Sequence, residues 1–250
     1  MNTRLTYSRR GNSRLILIAV AAVILASLIF YSKIMGSDDN FNPPPTPEPG
    51  ENGDTLTDIE GNVYRTVKIG NQTWMAENLR VTKLNDGTNI KLITRGWGFT
   101  TSPEFCWYDY DPANKDTYGA LYNWHVVATG KLAPKGWHVP TEKDWKELDD
   151  YLGGIYAAGG KLKERGTEHW RSPNTGATDA YNFTMLPSGT QNYDGFLFYG
   201  SGEGCRLWSA DEYDAANAWA RAIEYDSAKL DVFWAQKTYG RSVRLVKDSP

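Results

Sequence analysis

Aromatic residues flanked by amide side chains occur in two polar stretches of the chain, where they could bind a ligand. Trp170 lies near Asn174 in the first stretch, and the second begins with Asn192 and Tyr193 and continues through Phe198. Aromatic rings can stack on the C–H face of a sugar while amides hydrogen-bond its hydroxyls, and they suit protein ligands equally well. These five residues form our predicted binding site for a glycan or a protein. The alternative is that the rings cover the core beneath long loops.

A run of acidic residues offers candidate calcium ligands. Asp109, Asp111 and Asp116 lie close together in sequence, and calcium prefers oxygen ligands of this kind. An EF-hand loop starting at Asp109 would need glycine at its sixth position and glutamate at its twelfth, where this chain has Asn114 and Ala120. We therefore favour the alternative, in which these side chains cap a turn and the following helix. No other cofactor is predicted.

The chain has two cysteines, Cys106 and Cys205, which are too few for a metal site built on paired C-x-x-C motifs. Outside the cytoplasm, a disulfide between them would persist. The sequence does not show whether their Cα atoms come within about 7 Å, the limit for a bridge. A disulfide and two buried free thiols are both consistent with the sequence.

The sequence lacks familiar catalytic motifs. It contains neither the G-x-S-x-G motif of hydrolases nor the H-E-x-x-H motif of zinc proteases. His125, His138 and His169 are far apart and lack the spacing of metal ligands. We therefore expect no enzymatic activity, although a fold can assemble a site from residues that are distant in sequence. A net charge of −3 gives no reason to expect nucleic-acid binding.

The N-terminal sequence predicts a membrane anchor. Residues 1–14 form a basic, cytoplasmic tail, and residues 15–35 include an uncharged run that can span a bilayer at about 1.5 Å per residue. The positive flank should stay inside, which places the rest of the chain outside, in the periplasm or at the cell surface. Residues 36–57 form a proline-rich linker, and residues 58–250 form the domain. A cleaved signal peptide is the alternative, and the protein would then be secreted.

The segment 136–153 holds the clearest helix signal in the chain. Thr141 is placed to cap the first turn, and Asp144 stands where its carboxylate can accept from the free amides. Gly153 is suited to end the helix. Apolar residues recur at helical spacing between them, at Trp145, Leu148 and Leu152. This helix should therefore lie with one face on the core.

Shorter patterns predict the remaining elements. A hairpin is expected from Val63–Ile69 and Gln72–Met75. A second main helix is expected from about residue 117, and a short one over 157–165, where two glycines weaken the pattern. On the second main helix, Leu121, Trp124 and Val127 should share one side. Three strands should form an antiparallel meander at the end of the chain, over 218–225, 229–234 and 241–246.

Five blocks of sequence, taken in order, resemble the Fibrobacter succinogenes major paralogous domain, a bacterial extracellular family. They are NVYRTVKIGNQTWMAENL, NKDTYGALYNW, GWHVPTEKDWKEL, GGKLKERGTEHWRSPNTGATD and YGRSVRLVKD. The resemblance covers residues 58–248. A more remote likeness, to formylglycine-generating enzymes and C-type-lectin-like folds, is carried by the helix start at Pro140-Thr141-Glu142 and by the stretch 240–245.

The resemblance implies an α+β domain of C-type-lectin-like fold, with two main helices, small antiparallel sheets and long irregular loops, preceded by one transmembrane helix. It carries over no mechanism. Formylglycine-generating enzymes use two closely spaced cysteines near the C-terminus, and this chain has none after Cys205. The sugar-binding tripeptides E-P-N and Q-P-D are also absent. We therefore expect a membrane-anchored binding module for a glycan or an envelope protein. A structural or assembly component of the cell surface is the alternative, and an enzyme with an unrecognised site is the third hypothesis.

Overall fold

The fold is given by a computed structural model, which describes residues 54–98, 100–192 and 198–249. Strands predominate in these residues, and helices are few and short. The strands are β1 (Thr55–Thr57), β2 (Val63–Ile69), β3 (Gln72–Met75), β4 (Lys91–Leu92), β5 (Glu104–Cys106), β6 (Leu121–Tyr122), β7 (Trp137–His138), β8 (Ser188–Gln191), β9 (Phe198–Ser201), β10 (Gly204–Glu212), β11 (Asn217–Glu224), β12 (Leu230–Gln236) and β13 (Val246–Lys247). The α-helices are α1 (Lys115–Tyr118), α2 (Trp124–Val127), α3 (Glu142–Tyr151) and α4 (Ile155–Leu162).

One five-stranded sheet brings the two ends of the domain together. Its strand order is β1-β2-β3-β13-β7, and every neighbouring pair is antiparallel. The predicted β2–β3 hairpin is confirmed, with Val67 opposite Trp74. In β13, Val246 pairs with Trp74 on one side and with His138 on the other. The last strand of the chain thus closes the sheet that the first hairpin began.

A second five-stranded sheet contains a meander. Its order is β12-β11-β10-β8-β9, in which β10, β11 and β12 are antiparallel and β8 is parallel to β10. The expected strands over 218–225 and 229–234 correspond to β11 and β12, where Trp219 lies opposite Trp234. A third, small sheet has the order β4-β5-β6.

The expected third strand of the meander, over residues 241–246, does not form. The carbonyls of Val243 and Leu245 accept hydrogen bonds from the amides of Leu79 and Met75, which draws this segment to the first sheet. Only Val246–Lys247 pairs as a strand there. The prediction is wrong because local alternation does not specify the sheet that a strand will join.

The two faces of the meander pack against different parts of the domain. Side chains alternate between the faces of a strand, so Ile223 and Leu230 share one face, and both pack in the apolar cluster that holds the buried residues of α3 and α4. Trp208, Ala220 and Phe233 form a cross-strand row on the opposite face and pack in the cluster that includes the first sheet. This second face also carries the cleft described below.

Helix α3 begins and ends as the sequence predicts. Thr141 Oγ1 accepts from the Asp144 amide at 3.3 Å, and Asp144 Oδ2 accepts from the Thr141 amide at 2.8 Å, which forms a capping box. Trp145 and Leu148 are buried. Gly153 follows with a φ of 88°, a left-handed conformation that suits glycine and ends the helix.

Helix α4 confirms the short helix that was expected near residues 157–165. Its glycines weaken its intrinsic helical preference, but packing requires them. A Cβ at Gly159 would clash with the backbone of Lys229, and one at Gly160 would clash with the backbone of Gly176. The helix therefore lies in direct backbone contact with the segment that joins β11 to β12.

The prediction of a second main helix from about residue 117 is wrong. Helix α1 ends before Gly119, whose φ of 73° turns the chain into β6, and Asn123 then caps α2 by accepting from the Val126 amide. The apolar residues of the predicted helix face are nevertheless buried, at Leu121, Trp124 and Val127. The spacing indicated burial correctly, but the glycine conformation prevents a continuous helix.

The domain begins before the predicted boundary at residue 58. Thr55–Thr57 form β1, and Leu56 is buried in the core, so the predicted linker 36–57 extends too far. The basic tail 1–14, the predicted span 15–35 and the linker up to residue 53 lie outside the described residues. Within the described ranges, no helix combines the length and the apolar character needed to cross a membrane.

Candidate functional site

Trp170 lies in the core rather than at a binding surface. Its side chain is 1% exposed and packs in a cluster with Phe183 and Met185. The indole Nε1 donates to the Met185 carbonyl at 2.9 Å, and Lys163 Nζ lies 5.3 Å from the ring centre. The predicted ligand contact at Trp170 is therefore wrong. The alternative interpretation, a ring that covers the core under a long loop, describes this residue correctly.

Asn174 also supports the loop instead of facing a ligand. The residue is buried, and its Nδ2 donates to the carbonyls of Glu164 at 2.9 Å and Gly166 at 2.6 Å. Its φ of 49° places it in the left-handed region, which asparagine tolerates in tight turns. The prediction for Asn174 is wrong because its amide satisfies backbone carbonyls of its own loop.

The second predicted stretch reaches a cleft through one of its residues. Tyr193 lies outside the described residues. Phe198 is half-buried, and its ring centre lies 5.0 Å from that of Tyr108 and 4.8 Å from that of Tyr110. Phe198 therefore packs on its own domain, whereas Asn192 lines an open cleft.

The acidic turn does not gather its carboxylates around one point. Asp111 accepts from the Ala113 amide at 2.9 Å, as the capping interpretation predicts. Asp116 lies 3.8 Å from Arg80 in an exposed ion pair. Asp109 is exposed and adopts a φ of 54°. Calcium binding at this turn has no support from these positions.

Three close donor groups occur elsewhere in the described chain, at Glu164, Glu168 and His169, with their nearest ligand atoms all within 4.8 Å of one another. His169 Nδ1 lies 2.9 Å from Glu164 Oε1. This hydrogen bond accounts for the arrangement of these two groups without a metal ion.

The two cysteines are free and buried. Cys106 belongs to a small cluster with Trp97 and Leu121, whereas Cys205 lies in the cluster of α3 and α4. Ser188 Oγ lies 3.2 Å from Cys205 Sγ. Of the two possibilities that the sequence left open, the structure therefore shows two buried thiols in separate clusters.

An open cleft of about 630 Å³ adjoins β12, an edge strand of the second sheet. Residues from β8, β9, β10 and β12 and from the segments that follow β8 and β12 line it. They are Thr190, Asn192, Tyr199, Arg206, Phe233, Trp234, Ala235, Gln236, Tyr239 and Arg241. Aromatic rings, amides and guanidinium groups dominate this lining, and no aspartate or glutamate belongs to it.

Arg241 is fixed within the cleft by aromatic rings and a hydroxyl. Its guanidinium lies 5.1 Å from the ring centres of Trp208 and Phe233, and 5.6 Å from that of Tyr239. Arg241 Nη1 donates to Thr190 Oγ1 at 3.0 Å, and the same hydroxyl donates to a backbone carbonyl at 2.9 Å. A guanidinium over aromatic faces is stabilised electrostatically. These contacts hold the cation in one orientation.

The cleft has an excess of positive charge. Arg206 forms an ion pair with Glu224, whereas no carboxylate of the described residues pairs with Arg241. Burial, with Arg206 nearby, lowers the pKa of Arg241 to about 9, so the group is still charged at neutral pH. Arg206 Nη1 and Arg241 Nε are buried and have no hydrogen-bond partner among the described residues. An anion would therefore be attracted to this position.

Two aromatic surfaces adjoin along β12. Tyr199 lines the cleft and is 45% exposed. Trp234 also borders the cleft. Successive residues of a strand point to opposite faces, so the side chain of Trp234 lies on the face of β12 opposite to that of Phe233. The Trp234 ring stacks on Tyr213, with centres 5.5 Å apart and an angle of 8° between the planes. Tyr199 is thus the accessible ring of the cleft itself.

The residues of the cleft were mostly missed by reasoning from the sequence. Arg241 follows Gly240, where a Cβ would lie 3.0 Å from Gln191 Cβ, so glycine permits the close approach of these two segments. Gln191 and Gly240 exchange backbone hydrogen bonds of 2.9 and 2.8 Å. A signal did exist in β12, because Phe233 interrupts the expected alternation of apolar and polar residues. The pairing of distant segments left no local signal.

The described residues form a β-rich domain with few helices and an open, aromatic-lined, positively charged cleft. The chain belongs to the Fibrobacter succinogenes major domain family, whose model matches residues 67–247. This match confirms the family resemblance drawn from the five sequence blocks. No curated protein and no solved structure matches the chain.

Proposed function

We propose that this protein is a binding module that recognises a glycan through the cleft beside β12. The observation that carries the proposal is the combination of an accessible ring, Tyr199, with the amide side chain of Asn192 and the fixed guanidinium of Arg241. Binding sites for small ligands are typically concave and combine apolar surface with a few placed polar groups. Sugars suit this lining because their C–H faces stack on rings while their hydroxyls bond to amides.

We also propose a cellular location for the protein and a fold type for its domain. Residues 15–35 would anchor the chain in the membrane, with residues 1–14 in the cytoplasm and the domain outside. The helix α3, the short α4, the small sheets and the long loops would make the domain C-type-lectin-like. Deletion of residues 1–35 should move the protein from the membrane fraction to the soluble fraction. Retention of the deleted protein in the membrane fraction would contradict the anchor.

A screen of immobilised glycans and insoluble polysaccharides tests the function, using the full chain purified in a mild detergent. Saturable binding to one glycan class is expected, and Tyr199→Ala should weaken it about tenfold, the loss of about 1.4 kcal/mol of contact energy. Tyr156→Ala is the matched control, because this tyrosine is 78% exposed on α4 and does not line the cleft. Equal loss in both variants would contradict a site at the cleft. The absence of binding to any glycan would favour a structural role at the cell surface.

A further inference from the structure

The residues that line the cleft carry positive charges that are not matched by negative ones. Its lining contains Arg206 and Arg241 and no acidic residue. Glu224 neutralises Arg206, but no described carboxylate reaches Arg241, which is 4% exposed. The cleft therefore presents one guanidinium without a counter-charge.

Contacts within the protein compensate this charge only in part. Placing an ion in the protein interior carries a desolvation penalty, and contacts with aromatic rings offset part of it. Thr190 supplies one hydrogen bond to Arg241, and Arg241 Nε has no partner among the described residues. A ligand anion at the cleft would supply the missing charge, and arginine is well suited to carboxylate and sulfate groups.

The remaining lining argues for a sugar rather than for an acidic peptide. Asn192 offers a neutral amide at the cleft, which matches sugar hydroxyls better than a row of carboxylates. Tyr199 offers an accessible ring at the same cleft. We infer that the ligand of the cleft is an acidic saccharide, whose anionic group lies against Arg241 while its sugar ring stacks on Tyr199. This inference rests on the proposed function and adds the chemical class of the ligand.

The test compares polymers that differ only in charge. The full chain in detergent is titrated with polygalacturonate and with the same polymer after chemical reduction of its carboxyl groups, at about 150 mM salt to limit unspecific attraction. The acidic form should bind at least about tenfold more tightly. A sulfated galactan provides an arm that separates sulfate from carboxylate, and polyglutamate provides a polyanion without sugar.

Each outcome has a distinct meaning. Equal binding of both acidic saccharides and of the reduced polymer would overturn the inference and leave the proposed function intact. Failure of every saccharide to bind would overturn both. Binding of polyglutamate as tight as that of the best acidic saccharide would overturn the saccharide part, because the cleft would then select charge alone. Tighter binding of either acidic saccharide than of the reduced polymer and of polyglutamate supports the inference.

Variants then assign the preference to Arg241. Arg241→Gln should weaken binding of the acidic polymer about tenfold or more while leaving that of the reduced polymer unchanged. Arg65→Gln removes a positive charge that is exposed on the first sheet, and it should change neither affinity. If Arg241→Gln does not fold, as judged by near-ultraviolet circular dichroism, the comparison of polymers on the unmodified chain still decides the inference. Unchanged preference in a folded Arg241→Gln variant would refute the role of this residue.

Discussion

Asp149 on α3 should destabilise the domain at neutral pH. The residue is 5% exposed, and its Oδ1 has no hydrogen-bond partner among the described residues. Arg221, the positive charge with the largest effect on this carboxyl, is instead paired with Glu142 at 2.9 and 3.0 Å. Burial raises the pKa of Asp149 from 3.8 to about 6, despite the opposing effect of Arg221. The folded protein therefore holds this proton more tightly than the unfolded chain does.

The sign and size of the effect follow from this difference. An acid whose folded pKa is raised costs no stability below its unfolded pKa, and the cost grows as the pH rises through the folded pKa. Between about pH 4 and 6 the free energy of unfolding should fall by up to about 3 kcal/mol, at about 1.4 kcal/mol per pKa unit. Asp149→Asn should recover this amount at about pH 7 and recover little at about pH 3.5.

Urea unfolding followed by tryptophan fluorescence measures the effect at both pH values. The control is Asp150→Asn, because Asp150 is the exposed neighbour and forms a surface ion pair with Lys146. That change should cost a few tenths of a kcal/mol. A loss of stability in Asp149→Asn at neutral pH would refute the reasoning, as would an equal gain at both pH values.

Two further predictions concern the loop that follows α4. Trp170→Ala should reduce the free energy of unfolding by about 3 to 5 kcal/mol. Its control is Trp234→Ala, at a position that is 51% exposed, which should reduce the free energy of unfolding by about 1 kcal/mol. Equal losses in urea unfolding would contradict the buried position of Trp170. Lys163 is fully buried, and its Nζ donates to the carbonyls of Thr175, Glu224 and Ser227 at 2.8, 3.0 and 2.9 Å. Lys163→Met leaves these acceptors without their donor and should lower the free energy of unfolding by about 3 kcal/mol or more. A thermal midpoint equal to that of the unmodified protein would show that the three hydrogen bonds do not contribute to stability.

Local signals explain the parts of the fold that the sequence predicted correctly. The capping box at Thr141 and Asp144, the apolar spacing that follows and the glycine at position 153 all act within one helix, so α3 was predictable from its own residues. The strands β11 and β12 were predictable for a similar reason, because a short turn joins them and their residues alternate. Strands β11 and β12 belong to the sheet that carries the cleft.

Distant contacts explain the errors. The sequence around Trp170 is polar and rich in turns, yet Lys163 and Asn174 satisfy the backbone of this loop and fold it over the core. Arg241 reaches the cleft because its segment pairs with Tyr122 on one side, while the preceding Gly240 pairs with Gln191. Neither arrangement has a local pattern, because the residues that meet are far apart in the chain.

Hydrogen–deuterium exchange with the best-binding polysaccharide of the screen tests the central claim most directly. Ligand contact at the cleft should slow exchange of the amides in β12 and in the segment from Tyr239 to Arg241, because their opening would be coupled to loss of the ligand. Exchange in α3 should not change, since none of its residues lines the cleft. Protection confined to other surfaces, with β12 unchanged by saturating ligand, would contradict the cleft as the binding site.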